Sequence, residues 1–182
     1  MNIINTEISD VKILVPEVFK DSRGSFFESF NLEMFNSLIG GSYEFVQDNH
    51  SSSINNVLRG LHYQLTKPQA KLIRVIHGEI FDVVVDIRKT SNTFGQWIGR
   101  YISSENNHQM WVPTGFAHGF YVTSDKADVL YKTTDFYSPE DERCIVWNDD
   151  SLSIDWPITK DSPPIVSSKD HKGISFKSAD YF

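Results

Sequence analysis

An all-β fold, a barrel or sandwich with one or a few short helices, follows from three features of the 182-residue sequence. Most of the chain consists of short β-branched or aromatic runs, Gly, Pro, Asn, Asp and Ser punctuate them closely, and only one stretch carries helical spacing. At 40% hydrophobic and 13% aromatic, a chain of this length can fill one substantial core, so residues 1–182 read as a single domain.

The first candidate strand, 24–30, opens on Gly24 and carries Phe26, Phe27 and Phe30. Leu32, Phe35, Leu38 and Ile39 then fall at helical spacing, and Gly40-Gly41 can end that helix because glycine accepts left-handed geometry. Strands are expected next at 43–49, 57–64, 71–77, 79–88, 97–102, 108–112, 118–122, 128–134 and 142–147. The C-terminal segment 156–182 begins with Pro157, Pro163 and Pro164 and reads as an irregular surface arm, either inert packing or a route back to a pocket. Nothing repeats at a fixed period.

Charge narrows the function classes. Lys and Arg total 17 against 24 Asp and Glu, a net charge of -7, which argues against nucleic-acid and membrane-surface binding because both need an extended positive field. Local basic groups can still hold a small anion. Cys144 is the only cysteine, so no intrachain disulfide is possible and a reducing compartment fits. The first 20 residues carry Glu7, Asp10 and Glu17 and lack a signal-peptide pattern, and no stretch approaches the roughly 20 apolar residues of a membrane span. The expected location is cytoplasmic.

Candidate chemistry lies on several of these runs. In 59–64, strict alternation puts His62 with Gly60 and Gln64 and turns Arg59 the other way unless the strand is bulged. Lys71 shares a face with Ile73 and Val75, as a rim lysine or as the charge a pocket requires. Tyr131 and Tyr137 taken singly read as core aromatics, and Lys169 with Asp170 as a solvated pair.

The run from Pro113 to Phe120 is more specific. Its Pro-x-Gly-x-x-His spacing, with His118 last, resembles the second motif of the cupin barrels. Where a metal-binding cupin supplies His-x-His and a Glu, this chain has His62-Tyr63-Gln64 and Lys71. Glutamine is a weak ligand and an ammonium group repels a divalent cation, so the resemblance points to a cupin-like jelly roll without a metal.

A wider set of segments resembles the dTDP-4-dehydrorhamnose 3,5-epimerase family over most of the chain. It comprises Asp21-Ser22-Arg23-Gly24, Phe27-Glu28-Ser29-Phe30, Val46-Gln47-Asp48-Asn49-His50-Ser51, Val57-Leu58-Arg59-Gly60-Leu61-His62, Gln69-Ala70-Lys71-Leu72, Val85-Asp86-Ile87-Arg88, Gly115-Phe116-Ala117-His118-Gly119-Phe120, Tyr131-Lys132 and Trp147-Asn148-Asp149. The resemblance implies that His62 is the general base, Asp170 its orienting partner, Tyr131 the opposing acid, and Lys71 the neighbour of the keto oxygen. It implies Arg23 and Arg59 at the diphosphate, with His118 and Lys169 as further polar contacts. Glu28, Gln47, Asp48 and Asn49 would hold the nucleoside, Phe26 and Tyr137 would offer aromatic surfaces, and Glu142 is a further substrate contact. It also implies a homodimer with an exchanged first strand, so that Arg23 and Glu28 serve the partner's pocket, no cofactor, a small nucleotide-sugar substrate, and a place in L-rhamnose and polysaccharide biosynthesis.

These residue types suit the chemistry. A carbonyl at carbon 4 acidifies the hydrogens on carbons 3 and 5, and a base and an acid on opposite faces can then invert them. The alternatives at this point are a mono-epimerase or ketoisomerase on a related nucleotide sugar, a metal-dependent cupin enzyme, and a non-catalytic sugar-nucleotide binding module.

Overall fold

The computed structural model describes residues 1–182 as two facing antiparallel sheets. Fourteen strands are present: β1 Asn2–Asn5, β2 Lys12–Val15, β3 Phe19–Asp21, β4 Gly24–Phe26, β5 Gln47–Ile54, β6 Val57–Gln64, β7 Lys71–His77, β8 Glu79–Asp86, β9 Trp97–Ser103, β10 Gln109–Val112, β11 Phe116–Val122, β12 Lys126–Thr133, β13 Glu142–Cys144 and β14 Ile165–Val166. One sheet runs β1-β2-β10-β7-β12-β5 and the other β13-β6-β11-β8-β9, with β14 added parallel to β6. Strands β3 and β4 form a separate hairpin.

The period-2 alternation of each strand decides what lies between the sheets. Ile73, Val75, Val129 and Met110 from the first sheet meet Ile80, Val84, Phe120 and Val122 from the second. The opposite face of the second sheet, with Leu58, Leu61, Val83 and Val85, is covered by Trp156 and Phe176 of the C-terminal arm. Strand β8 is therefore buried on both faces, which is why it reads as a continuous apolar run. On the outside of the first sheet, helix α1 Leu32–Ile39 lays Phe35 against Leu14, Leu72 and Trp111. Its N-cap Asn31 accepts the Met34 N–H at 3.0 Å, and Gly40 ends it at φ 78°.

Three expectations need correction. The strand expected at 43–49 begins at Gln47 and runs on through three serines, because β12 pairs with it residue for residue while Tyr43 and Phe45 turn onto Phe35 and Trp111. The strand expected at 24–30 is only Gly24–Phe26, folded back on Phe19–Asp21, and the one at 142–147 stops at Cys144. Strands β1 and β2, too short for a clear pattern, were not anticipated. The arm is less irregular than its prolines suggest, since it holds β14 and one helical turn, α2 Ser168–His171. No helix is long and apolar enough to cross a membrane.

Candidate active site

Strand β6 supplies the central histidine. Against β11, His62 stands opposite His118 but Arg59 stands opposite Phe120, so three steps along β6 match two along β11. The extra residue is a β-bulge, and it brings Arg59 and His62 onto the same inner face. Gly60 occupies the bulge at φ +124°, where a Cβ would lie 2.5 Å from the Gly119 Cα. A glycine on each strand permits that approach.

The C-terminal arm completes this wall. Ser167 caps α2 by accepting the Asp170 N–H at 3.1 Å, and the turn delivers the buried Asp170 to His62, Oδ1 lying 2.7 Å from Nε2. The Gly60 N–H donates to the other carboxylate oxygen at 3.3 Å. Burial alone would raise the Asp170 pKa, but His62, with the Gly60 N–H and Ser167, outweighs it and holds the carboxyl below its ordinary value.

Tyr131 rises from the opposite sheet, between Asn49 of β5 and Ile73 of β7. It shares with His62 a cavity of about 320 Å³ whose walls include Arg59, Lys71, His118 and Phe120. Burial pushes the Tyr131 phenol above its ordinary pKa, with Arg59 pulling it back and Glu142 adding to the rise. Lys71 opens β7 on the inner face and forms no ion pair, although Asp82 and Glu142 are near enough to oppose the burial that lowers its pKa to about 8.

At the rim, Tyr137 donates to Glu142 at 2.6 Å, and Lys169 donates to the same carboxylate. The Tyr137 N–H donates to Gln47 Oε1 at 3.0 Å, and the Gln47 amide donates to Asn49 at 2.9 Å. Gln47, Asn49, Tyr137 and Glu142 thus join His62, Lys71 and Tyr131 around one opening.

Four expected residues are not brought there within one chain. Asp48 points to the outer face, as alternation along β5 requires, and pairs with Lys132 at 3.0 Å. Arg23 and Phe26 stand on the β3–β4 hairpin, 88% exposed at the arginine side chain and 72% at the phenylalanine. Arg23 pairs only with Asp21, at 2.6 Å, and Glu28 meets Asn31 at 3.4 Å.

Other site residues went unnoticed in the sequence. Asp82 is fully buried, with both carboxylate oxygens 3.0 Å from His118 Nε2, and a lone acid inside the apolar run 80–85 was the available signal. Cys144 stands opposite His62 in the β13–β6 register, and its thiol lies within 4.8 Å of the His62 and Asp170 ligand atoms. Burial, with Asp170 beside it, pushes that thiol up to about 12, so it is neutral. The two histidines stand opposite each other across β6 and β11, and each Nε2 faces a carboxylate of its own, Asp170 for His62 and Asp82 for His118.

A jelly roll of cupin type whose pocket sets a histidine–aspartate dyad against a tyrosine belongs to the acid–base isomerases. The family model for dTDP-4-dehydrorhamnose 3,5-epimerase matches residues 5–178. The dTDP-4-dehydrorhamnose 3,5-epimerase of Shigella flexneri is 55% identical over 100% of this chain and 99% of its own length. Among solved structures, Legionella pneumophila RmlC in complex with dTDP-4-keto-L-rhamnose superposes with a TM-score of 0.95 at 50% identity, covering 98% of this chain and 94% of that one. ChmJ, a 3'-monoepimerase from Streptomyces bikiniensis, gives a TM-score of 0.90 at 31% identity, over 96% and 88%. The chain belongs to the dTDP-4-dehydrorhamnose 3,5-epimerase family.

Proposed function

We propose that this chain inverts carbons 3 and 5 of dTDP-4-dehydro-6-deoxy-D-glucose, giving dTDP-4-dehydro-L-rhamnose. The observation that carries the reading is the His62–Asp170 dyad facing Tyr131 from the opposite sheet across one cavity. His62 removes the proton from carbon 3 or carbon 5, and the electron pair of the broken C–H bond moves into the ring as an enolate on the carbon 4 oxygen. Asp170 fixes the imidazole and stabilises its positive charge once the proton has arrived. Lys71, a cation with no partner of its own, offsets the charge developing on that oxygen. Tyr131 returns a proton to the opposite face of the same carbon, so the enolate collapses with inversion, and proton exchange with solvent resets both groups. The 55% identity to the Shigella flexneri 3,5-epimerase, against 31% to the monoepimerase, favours reaction at both carbons.

The nucleoside end lies toward the rim. Arg59 and Lys169 meet the diphosphate, Gln47, Asn49 and Glu142 meet the nucleoside end, and Tyr137 offers its ring as a stacking surface. His118, held by Asp82, adds a polar contact. Arg23, Phe26 and Glu28 act in trans, from a hairpin that crosses to the partner of a homodimer. Its exposed Phe19 and Phe26 support this, because apolar rings on a hairpin that leans on neither sheet need a surface to cover them. Residues 1–182 act as one domain, in the cytoplasm.

NMR of the reaction in deuterated water tests the proposal. The wild-type protein exchanges and inverts both carbons. His62→Asn abolishes deuterium entry as well as inversion. Tyr131→Phe retains exchange with retention of configuration, and inversion falls about 10²–10⁴-fold. Full inversion by Tyr131→Phe together with full exchange by His62→Asn defeats the mechanism.

A further inference from the structure

The inner face of β5 is a ladder of four polar side chains, Gln47, Asn49, Ser51 and Ser53. Gln47 and Asn49 bond each other at 2.9 Å, and the Ser53 hydroxyl accepts from Arg59 Nε at 3.1 Å and Nη2 at 3.0 Å. Ser51 is different. Its hydroxyl is the only buried side-chain nitrogen or oxygen in the protein without a hydrogen-bond partner. A desolvated, unpaired hydroxyl is unfavourable and alanine would avoid it, so its presence in a pocket wall points to a partner from outside the chain.

The register of β5 against β12 says which part of a ligand that partner belongs to. Asn49 stands opposite Tyr131, and Ser51 stands opposite the fully buried Val129. Ser51 thus lies one same-face step, roughly 7 Å, beyond the level of Tyr131 toward the packed core. Phe120, which belongs to that core, lines the same cavity. Because the reacting carbons must sit between His62 and Tyr131, and Ser53 one step further along β5 holds the Arg59 proposed at the diphosphate, Ser51 faces the hexose between those two levels, on its carbon 1 and carbon 2 side.

The chemistry then selects an atom. Lys71 accounts for the carbon 4 oxygen, while the hydroxyl on carbon 3 and the methyl attached to carbon 5 change direction as those carbons invert. Carbon 2 reacts at neither step. A fixed donor can therefore hold its hydroxyl through both inversions, and it anchors the ring while two neighbours turn over. We infer that Ser51 hydrogen-bonds the carbon 2 hydroxyl of the hexose and is a specificity-determining residue for the sugar half of the substrate, an inference that rests on the epimerase reading above.

Calorimetry on the full chain tests it with dTDP, dTDP-glucose and dTDP-2-deoxyglucose, none of which carries the ketone needed for turnover. Ser51→Ala should bind dTDP as the wild type does and dTDP-glucose about 3- to 10-fold more weakly. With dTDP-2-deoxyglucose the two proteins should be equal, since the contact is missing from both. Its melting temperature should be unchanged or higher, because the substitution removes an unpaired buried group. Ser51→Cys, close in volume but a weak donor, should reproduce the pattern without altering the shape of the wall. An equal loss toward dTDP, a loss that persists in full with the 2-deoxy sugar, or no loss with dTDP-glucose overturns the role of Ser51 alone. Wild-type protein that binds none of the three overturns the epimerase reading and the role of Ser51 with it.

Discussion

Lys71 is the residue whose behaviour in solution is most directly fixed by its surroundings. Burial brings its pKa to about 8, so at neutral pH most molecules carry the charge and above pH 8 most do not. If the ammonium stabilises the enolate oxygen, kcat/KM falls as pH rises through about 8 in the free enzyme. Lys71→Arg keeps a cation at all accessible pH values and should move that fall to higher pH. Lys71→Met should remove it while lowering the rate about 10²–10³-fold, as loss of an oxyanion-stabilising group does. A pH profile whose alkaline limb is identical in all three proteins would sink the assignment. The sequence told less about Lys71 than the fold does, because a lysine beside Ile73 and Val75 reads equally well as a rim residue. Only the absence of a partner on the inner wall separates the two.

At the scale of elements, the β6 bulge controls the site. Runs of β-branched and aromatic residues between turn residues located the strands that became β6, β7, β8, β11 and β12. Alternation then set the facing of side chains along them. It failed for Arg59 against His62, since one inserted residue reverses parity and no pattern of side chains announces it. The signal lay instead in Gly60 and Gly119, on two different strands. Gly60→Ala puts a Cβ 2.5 Å from Gly119 Cα in a positive-φ conformation, so it should cost at least about 1–3 kcal/mol of stability in urea unfolding. The same change should turn Arg59 off the inner wall and weaken dTDP binding in whatever fraction remains folded. Wild-type stability and binding in Gly60→Ala would show that the bulge does not depend on this glycine. The continuation of strand β5 beyond Asn49 went unread for another reason: Ser51-Ser52-Ser53 have low strand preference, and the ladder with β12 supplies what they lack.

Over the whole molecule, one chain gathers most but not all of the expected site residues around its cavity. Arg23, Phe26 and Glu28 stand away from their own cavity, and residue spacing alone could not say whose cavity they serve. Mixing inactive His62→Ala with inactive Arg23→Ala subunits should restore activity, because one site of the mixed dimer then has both an intact base and an intact hairpin. Light scattering that shows only monomers at working concentration would exclude the arrangement. Asp170 was equally illegible from local pattern, being one charge in a proline-rich arm 108 positions beyond the histidine it serves. That separation has a temporal side. A ribosome adding about 5–20 residues per second makes His62 roughly 5–20 s before Asp170, so the proposed base stays without its carboxylate until the arm has been made.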